Sequence, residues 1–150
     1  MYRFATLAIL LMSLSLASQP TLDQFLSQPT ASGLAVSSDG QVAWIQNDQG
    51  KRNIFLRSNG RTSQLTTYTQ DDGQELVQLT FSPDGQTLVY VRGGDQSREG
   101  YSPNPSSLAS GVEQAIWLIH LSSNDVDRMT AGSDPVFYPD GKRILCLQTE

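Results

Sequence analysis

Three copies of one short pattern restrict what this chain can fold into more than any other feature of its sequence. Each copy has a short apolar stretch, an Asp-Gly pair and a second apolar stretch, and the glycines are Gly40, Gly85 and Gly141. Glycine readily takes the positive φ that a tight hairpin turn requires, and Asp hydrogen-bonds to the backbone of such a turn. Each copy therefore predicts two antiparallel strands joined by a tight turn.

The spacing of the copies predicts a β-propeller. The first two glycines are 45 positions apart and the next two are 56 apart, and a four-stranded propeller blade takes about 40–45 residues. Strand-like stretches at 53–57, 62–66, 115–121 and 126–130 complete the first two repeats. We expect an all-β fold, with about two and a half four-stranded antiparallel blades over residues 33–150. Propellers close with roughly four to eight blades, so this is an incomplete propeller.

The extra length of the second repeat is explained by one segment. Residues 93–114 are rich in Gly, Ser, Pro and Asn and have no apolar periodicity, which predicts a long loop. Long loops in compact domains are usually functional or disordered.

The N-terminus differs from the rest of the chain. Arg3 precedes the apolar stretch 4–16, and small residues surround Ala17. This pattern predicts a signal peptide over residues 1–17, followed by a lead-in segment over 18–32. The apolar stretch 4–16 is shorter than the roughly 20 residues that a membrane-spanning helix needs, which favours the signal peptide. An uncleaved membrane anchor is the alternative. We expect an exported protein, periplasmic or secreted, with no membrane contact after cleavage.

The net charge and the distribution of basic residues indicate which classes of partner the chain can bind. The net charge is −5 and basic residues occur at most in pairs, which argues against nucleic-acid binding. We expect a peptide substrate or a protein partner to bind through the propeller, and copies of the chain to associate through the open strand edge at 143–148.

With so few blades, we expect Leu88, Tyr90, Ile144 and Cys146 to lie near faces that no neighbouring blade covers.

The repeats resemble those of known exported propellers. Their Pro-Asp-Gly turns resemble the WD-like repeats in the N-terminal propeller of prolyl oligopeptidase-family serine peptidases, including dipeptidyl and acylaminoacyl peptidases, and those of TolB-type periplasmic propellers. The stretches 90–95, 103–105 and 111–117 look like part of an early blade in exported prolyl oligopeptidase-type enzymes. The resemblance implies a non-catalytic propeller portion that gates or orients peptide substrates. The alternative is a TolB-like propeller that mediates protein–protein contacts at the cell envelope.

The resemblance carries no catalytic residue into this chain. In that family the catalytic residues belong to an α/β-hydrolase domain, and no Gly-x-Ser-x-Gly motif occurs in the sequence. We therefore expect no enzymatic activity from the chain on its own, and no cofactor.

Four charged residues in or beside the long loop are the candidate substrate-binding residues: Arg92, Arg98, Glu99 and Glu113. A carboxylate can bind a peptide ammonium group, and an arginine can bind a carboxylate or a carbonyl. The alternative is that these residues hold the loop in place or face solvent.

A metal site is not expected. His120 is the only histidine of the sequence, and it is interpreted as an ordinary strand residue that shares a face with Leu118. The Asp residues of the Asp-Gly turns are explained by their turn positions.

Overall fold

The structure is a computed structural model that describes residues 21–94 and 114–148. In these ranges the chain forms a short helix, α1 (Leu22–Leu26), and then only strands. No helix of the described residues is long and apolar enough to cross a membrane. The predicted signal peptide at 1–17 and positions 95–113 of the predicted loop lie outside the described residues. The strands are β1 (Thr30–Val36), β2 (Val42–Asp48), β3 (Lys51–Ser58), β4 (Arg61–Gln64), β5 (Leu76–Phe81), β6 (Thr87–Arg92), β7 (Ala115–His120), β8 (Asp125–Ala131), β9 (Ser133–Phe137) and β10 (Ile144–Leu147).

The strands form three antiparallel sheets in chain order. Strands β1 to β4 form blade 1, strands β5 to β8 form blade 2, and β9 pairs with β10 in a two-stranded unit that we call hairpin 3. This arrangement confirms the predicted all-β, partial propeller of two blades and the first hairpin of a third. Strand β1 begins at Thr30 rather than at residue 33, because Thr30 and Ala31 already pair with Asn47 and Gln46 of β2.

The Asp-Gly pairs form the turns that the sequence predicts. In blade 2 the Ser82 hydroxyl donates to the Asp84 carboxylate over 2.5 Å, and the Gly85 amide donates to the Ser82 carbonyl over 2.9 Å. In blade 1 the Ser37 hydroxyl donates to Asp39 in the same way. These hydroxyl groups hold the pKa of both carboxyl groups below the ordinary value. The turn glycines, Gly40, Gly85 and Gly141, all have positive φ.

The first strand of each repeat contains a bulge at the same position. Gly33, Gln78 and Asp134 have φ of +59°, +55° and +54°, and the strand register shifts beside each of them. The Gln78 side-chain amide donates to the Asp134 carboxylate, and the Asp134 backbone N–H donates to the Gln78 side-chain oxygen, both over 2.8 Å. The bulges therefore bond blade 2 to hairpin 3.

Blades 1 and 2 share one apolar core. Leu88 and Tyr90 of β6 are fully buried and pack in one cluster with Ala43 and Ile45 of β2. Half-buried Trp117 packs against the same cluster. We call the face of blade 2 that carries Leu88 and Tyr90, and the equivalent face of every repeat, the front face.

A second core joins blade 2 to hairpin 3. Val89 and Val91, which alternate with Leu88 and Tyr90 along β6, pack in a cluster with half-buried Ile144 and Cys146. We call the face of blade 2 that carries these valines, and its equivalents, the back face. Blade 2 therefore buries residues on both faces of its second strand.

The expected exposure of Leu88 and Tyr90 is wrong. Both side chains are fully buried, because blade 2 lies between blade 1 and hairpin 3. Ile144 and Cys146 are half-buried against blade 2, and it is their neighbours Leu145 and Leu147 that are 58% and 64% exposed. Alternation along a strand shows which residues share a face, but the order of the blades decides which face is covered.

The Asp-Gly turns predict an acid-sensitive stability. The folded-state pKa of Asp39 and Asp84 lies below their ordinary value of 3.8. Their contribution is therefore fully present above about pH 4 and is lost as the pH falls through the folded-state pKa. We expect the free energy of unfolding, measured by urea titration from about pH 6 to about pH 2, to fall in this range. The double variant Ser37→Ala/Ser82→Ala should show a weaker dependence, and equal slopes for both proteins would contradict the assignment.

Candidate functional site

A group of charged and aromatic side chains lies where blade 1 is connected to blade 2. Residues 65–75 form the linker from β4 to β5, and this linker ends beside the end of β6, where the Gly93 N–H donates to the Glu75 carbonyl over 2.9 Å. This is also the end of β6 from which the predicted long loop starts. We call the following set the junction cluster: Arg52, Tyr68, Asp71, Asp72, Glu75 and Arg92.

Asn53 and Thr66 direct the linker away from the edge of blade 1. The Ile54 N–H donates to the Thr66 hydroxyl over 2.9 Å, where a longer β4 would have offered a backbone carbonyl. The Asn53 side chain accepts from the Tyr68 N–H over 2.8 Å and donates to the Tyr68 carbonyl over 2.9 Å. Both Asn53 and Thr66 are buried. These bonds fix the backbone of Tyr68 at the boundary between the blades.

Arg92 connects the linker to blade 2. Its guanidinium forms an ion pair with Asp72 and lies 4.6 Å from the centre of the Tyr68 ring. Less than a quarter of its side chain is exposed. Of the predicted substrate-binding residues, Arg92 is thus placed in a described cluster, and its role toward a substrate stays a prediction. Arg98, Glu99 and Glu113 lie outside the described residues.

Arg52 connects the linker to blade 1. It contacts Glu75 through two nitrogens, over 2.8 and 3.0 Å, and Asp71 over 3.4 Å. It also donates to the Gly50 carbonyl over 2.8 Å. A side chain at position 50 would lie within 2.2 Å of the Asp71 carboxylate, so a glycine is needed there. This set could not be recognised from the sequence, because Asp71 and Glu75 are 19 and 23 positions from Arg52; the Asp71-Asp72 pair was the available signal.

A partly buried pair of hydroxyl groups belongs to the same region. The hydroxyl groups of Tyr68 and Tyr90 are 2.9 Å apart. Burial raises the pKa of Tyr90, and the neighbouring Tyr68 raises it further, so Tyr90 stays protonated. Among the described residues the Gln74 side-chain oxygen, in the same linker, is buried without a hydrogen-bond partner.

Two clefts border Tyr68. The smaller, about 220 Å³, is lined by polar residues of the linker and by Asp72. The larger, about 340 Å³, has an apolar wall formed by Leu65, Trp117 and Val126 and a polar rim that includes Asn124. The junction cluster has two arginines and three carboxylates, an excess of one negative charge. This arrangement can accept hydrogen bonds from a cationic or amide donor and can hold an apolar side chain.

The described residues show no arrangement for metal binding. No group of three or more His, Cys, Asp or Glu side chains in the described ranges could hold a metal ion. His120 lies on β7 with nearly half of its side chain exposed, 3.6 Å from Asp127.

Comparisons with known proteins identify the fold. No protein-family model matches the sequence. An uncharacterised WD repeat-containing protein of Synechocystis sp. is 30% identical over 112 residues, which are 75% of this chain and 27% of that protein. The chain thus spans about a quarter of the length of this relative.

Two solved structures are also similar. A chain from a structural and mechanistic study of two prolyl endopeptidases has a TM-score of 0.55 and 18% identity, over 79% of this chain and 17% of that chain. The β-propeller domain of the Trilobed protease from Pyrococcus furiosus has a TM-score of 0.49 and 12% identity, over 80% of this chain and 34% of that chain. The first likeness shows that the blades are arranged as in a β-propeller.

The hydroxyl pair predicts an asymmetric response to mutation. Tyr68→Phe leaves the buried Tyr90 hydroxyl without a partner and should lower the free energy of unfolding by about 1–3 kcal/mol. Tyr90→Phe should cost less, because the half-buried Tyr68 hydroxyl can turn to solvent. The double variant should be more stable than the sum of the two changes implies.

Urea unfolding of the four proteins measures this cycle. Tyr138→Phe is the matched control, since Tyr138 is equally half-buried but lies in hairpin 3, and it should stay within about 0.5 kcal/mol of the wild type. Strictly additive effects of the two substitutions would show that the hydroxyl groups do not interact.

Proposed function

We propose that this chain is the non-catalytic, N-terminal propeller portion of an exported serine peptidase of the prolyl oligopeptidase type, where it gates or orients peptide substrates. The observation that carries the proposal is the likeness of its blades, at a TM-score of 0.55, to a chain from the study of two prolyl endopeptidases. The resemblance of the stretches 90–95, 103–105 and 111–117 to an early blade of such enzymes supports it independently.

The chemistry of the junction cluster fits a peptide. The small cleft offers Asp72 and the hydroxyl groups of the linker to an ammonium group or an amide. The larger cleft offers an apolar wall of Leu65, Trp117 and Val126 to a side chain. Tyr68 lines both clefts and contacts Arg92 at the end of β6. The long loop that starts there carries Arg98, Glu99 and Glu113, which we propose contact the peptide as well.

Catalysis is assigned to another domain. Peptide hydrolysis by this family requires a serine, a histidine and an acid in an α/β-hydrolase domain. The propeller selects the peptide substrate, because its rigid blades limit the size of the substrate and its charged loops orient the ends of the peptide.

A second candidate is a TolB-like propeller that binds a protein at the cell envelope. The similarity to a WD repeat-containing protein supports a repeat propeller of this kind. In this case the exposed parts of the junction cluster would contact a folded partner instead of a peptide.

The DNA sequence that follows the codon for Glu150 distinguishes the peptidase from the TolB-like propeller. For the peptidase we expect the reading frame to continue beyond the codon for Glu150, with further Asp-Gly hairpins and then a Gly-x-Ser-x-Gly motif. Sequencing of the genomic DNA and of the messenger RNA tests this expectation. A frame that adds a few repeats and stops would favour the TolB-like propeller and contradict the peptidase.

Peptide binding tests the site itself. The purified chain should release nothing from chromogenic dipeptide substrates, and a peptide with a free amino terminus should change the fluorescence of Trp117. Asp72→Asn should weaken this binding about two- to fivefold, the value of a partly exposed ion pair. Asp125→Asn, a matched change at an exposed residue of β8, should leave it unchanged. Equal affinity of the Asp72 variant, or turnover by the chain alone, would contradict the proposal.

A further inference from the structure

The outer hairpin of blade 1 turns on an Asn-Gly pair. Asn59 and Gly60 alone join β3 to β4, because Ser58 and Arg61 on either side of them are already paired. Both turn residues have positive φ, +51° and +76°, as a two-residue type I′ turn requires. Both are exposed.

An asparagine followed by glycine can react with its own backbone. The backbone nitrogen of the following residue attacks the side-chain carbonyl carbon, Cγ, and closes a succinimide ring, while the side-chain nitrogen leaves as ammonia. Water then opens the ring at either carbonyl, and the product is aspartate or isoaspartate. One ammonia is lost and one water is gained. Glycine hinders this attack least, because it has no Cβ.

The structure separates Asn59 from the asparagines that are held by hydrogen bonds. Asn53 is buried, and its side chain bonds both the N–H and the carbonyl of Tyr68. The Asn47 side-chain oxygen accepts from the Gly50 N–H over 2.7 Å. The Asn59 side chain makes no hydrogen bond to any described residue, so its amide is available to react.

The corresponding turn of blade 2 isolates the effect of the glycine. Asn124 lies between β7 and β8, is exposed and has a φ of +59°, as Asn59 nearly does. The residue that follows it is Asp125, whose side chain shields the attacking nitrogen. Apart from its chain neighbours, Gly60 has no atom within 4 Å of the place that a Cβ would take. The two turns thus share exposure and backbone conformation and differ in access to the nitrogen.

Strand β4 allows the turn to rearrange. Ring closure requires rotation of the turn backbone, and this rotation requires the hairpin to open locally. All four residues of β4 are exposed, and β4 is the edge strand of its sheet, paired with β3 alone. Segments with few buried contacts open at a low cost in free energy.

We propose that Asn59 is a site of spontaneous deamidation, which converts it to aspartate and isoaspartate in the folded protein. Isoaspartate carries the main chain through its own side-chain carbons, which lengthens the turn by one methylene group. A two-residue turn sets the register of its strands, so the lengthened turn no longer supports the pairing of Ser58 with Arg61. Strand β4 is then held less firmly. The inference needs only this hairpin and is independent of the proposed function.

Incubation of the purified chain in mildly alkaline buffer, followed by peptide mapping with mass spectrometry, tests the assignment. The peptide that contains Asn59 should gain the mass of the amide-to-acid change at least about tenfold faster than those with Asn47 or Asn124, because Gly60 leaves the attacking nitrogen unshielded. The gain in mass distinguishes this reaction from isomerisation at the Asp-Gly turns, which leaves the mass unchanged.

Two glycine variants serve as test and matched control. Glycine accepts positive φ at both turns, so both variants should fold. Asn59→Gly should remove most of the ammonia that the wild type releases, and Asn124→Gly should leave the release unchanged. Asn59 that stays intact while a synthetic peptide of residues 56–63 is converted would overturn the proposal, as would a faster reaction at Asn47 or Asn124.

Hydrogen exchange tests the effect on β4. The modified protein carries one more negative charge and is isolated by ion exchange. Its backbone amides at 61–65 should exchange faster than those of the unmodified protein, whereas those of β6, at the centre of blade 2, should not change. Equal exchange at 61–65 in the isoaspartate form would overturn the loosening of β4.

Discussion

The structure depends on the packing of each sheet against the sheet before and after it. A four-stranded antiparallel sheet has two faces, and in this chain both faces of the second strand are apolar. Burying only one face would leave side chains such as Val89 or Leu88 in water, at a cost of about 1.5–3 kcal/mol for each large one. The repeats therefore fold as a stack, and blade 2, which has a neighbour on both sides, holds most of the fully buried residues.

The stacking of the blades requires a linker between them, and this linker forms the candidate site. The linker must leave the outer strand of blade 1 and reach the inner strand of blade 2, so its backbone cannot stay in a sheet. Asn53 and Thr66 supply the hydrogen bonds that a strand would have supplied. Arg52 and Arg92 then attach the linker to one blade each. Two clefts lie beside Tyr68, in this linker.

The fold of this chain resides in its blades, and its function resides in what the blades carry. The likeness to a chain from the study of two prolyl endopeptidases concerns the arrangement of the blades, at 18% identity, and the WD-repeat relative is more than three times longer than the matched part of this chain. What a propeller does is decided by its loops and by the domains attached to it, because the blades are a scaffold. The blades therefore supply the scaffold, and the junction cluster and the neighbouring loop supply the groups that could contact a peptide.

The sequence by itself determined the hairpins, the four-stranded repeats and the pairs of residues that share a face. These features follow from local chemistry: Gly at a positive φ, Asp bonded within its own turn, and apolar residues in alternation. Arg92 could also be selected, since it stands where a strand meets the long loop. Its partners Asp72 and Tyr68 could not, because they come from a linker about 20 residues earlier in the chain. Only the tertiary structure decided that Leu88 and Tyr90 are buried while Leu145 and Leu147 are exposed. The physical reason is that a strand has the same alternation whether or not a neighbouring blade covers it, so burial is fixed by the order in which the blades stack.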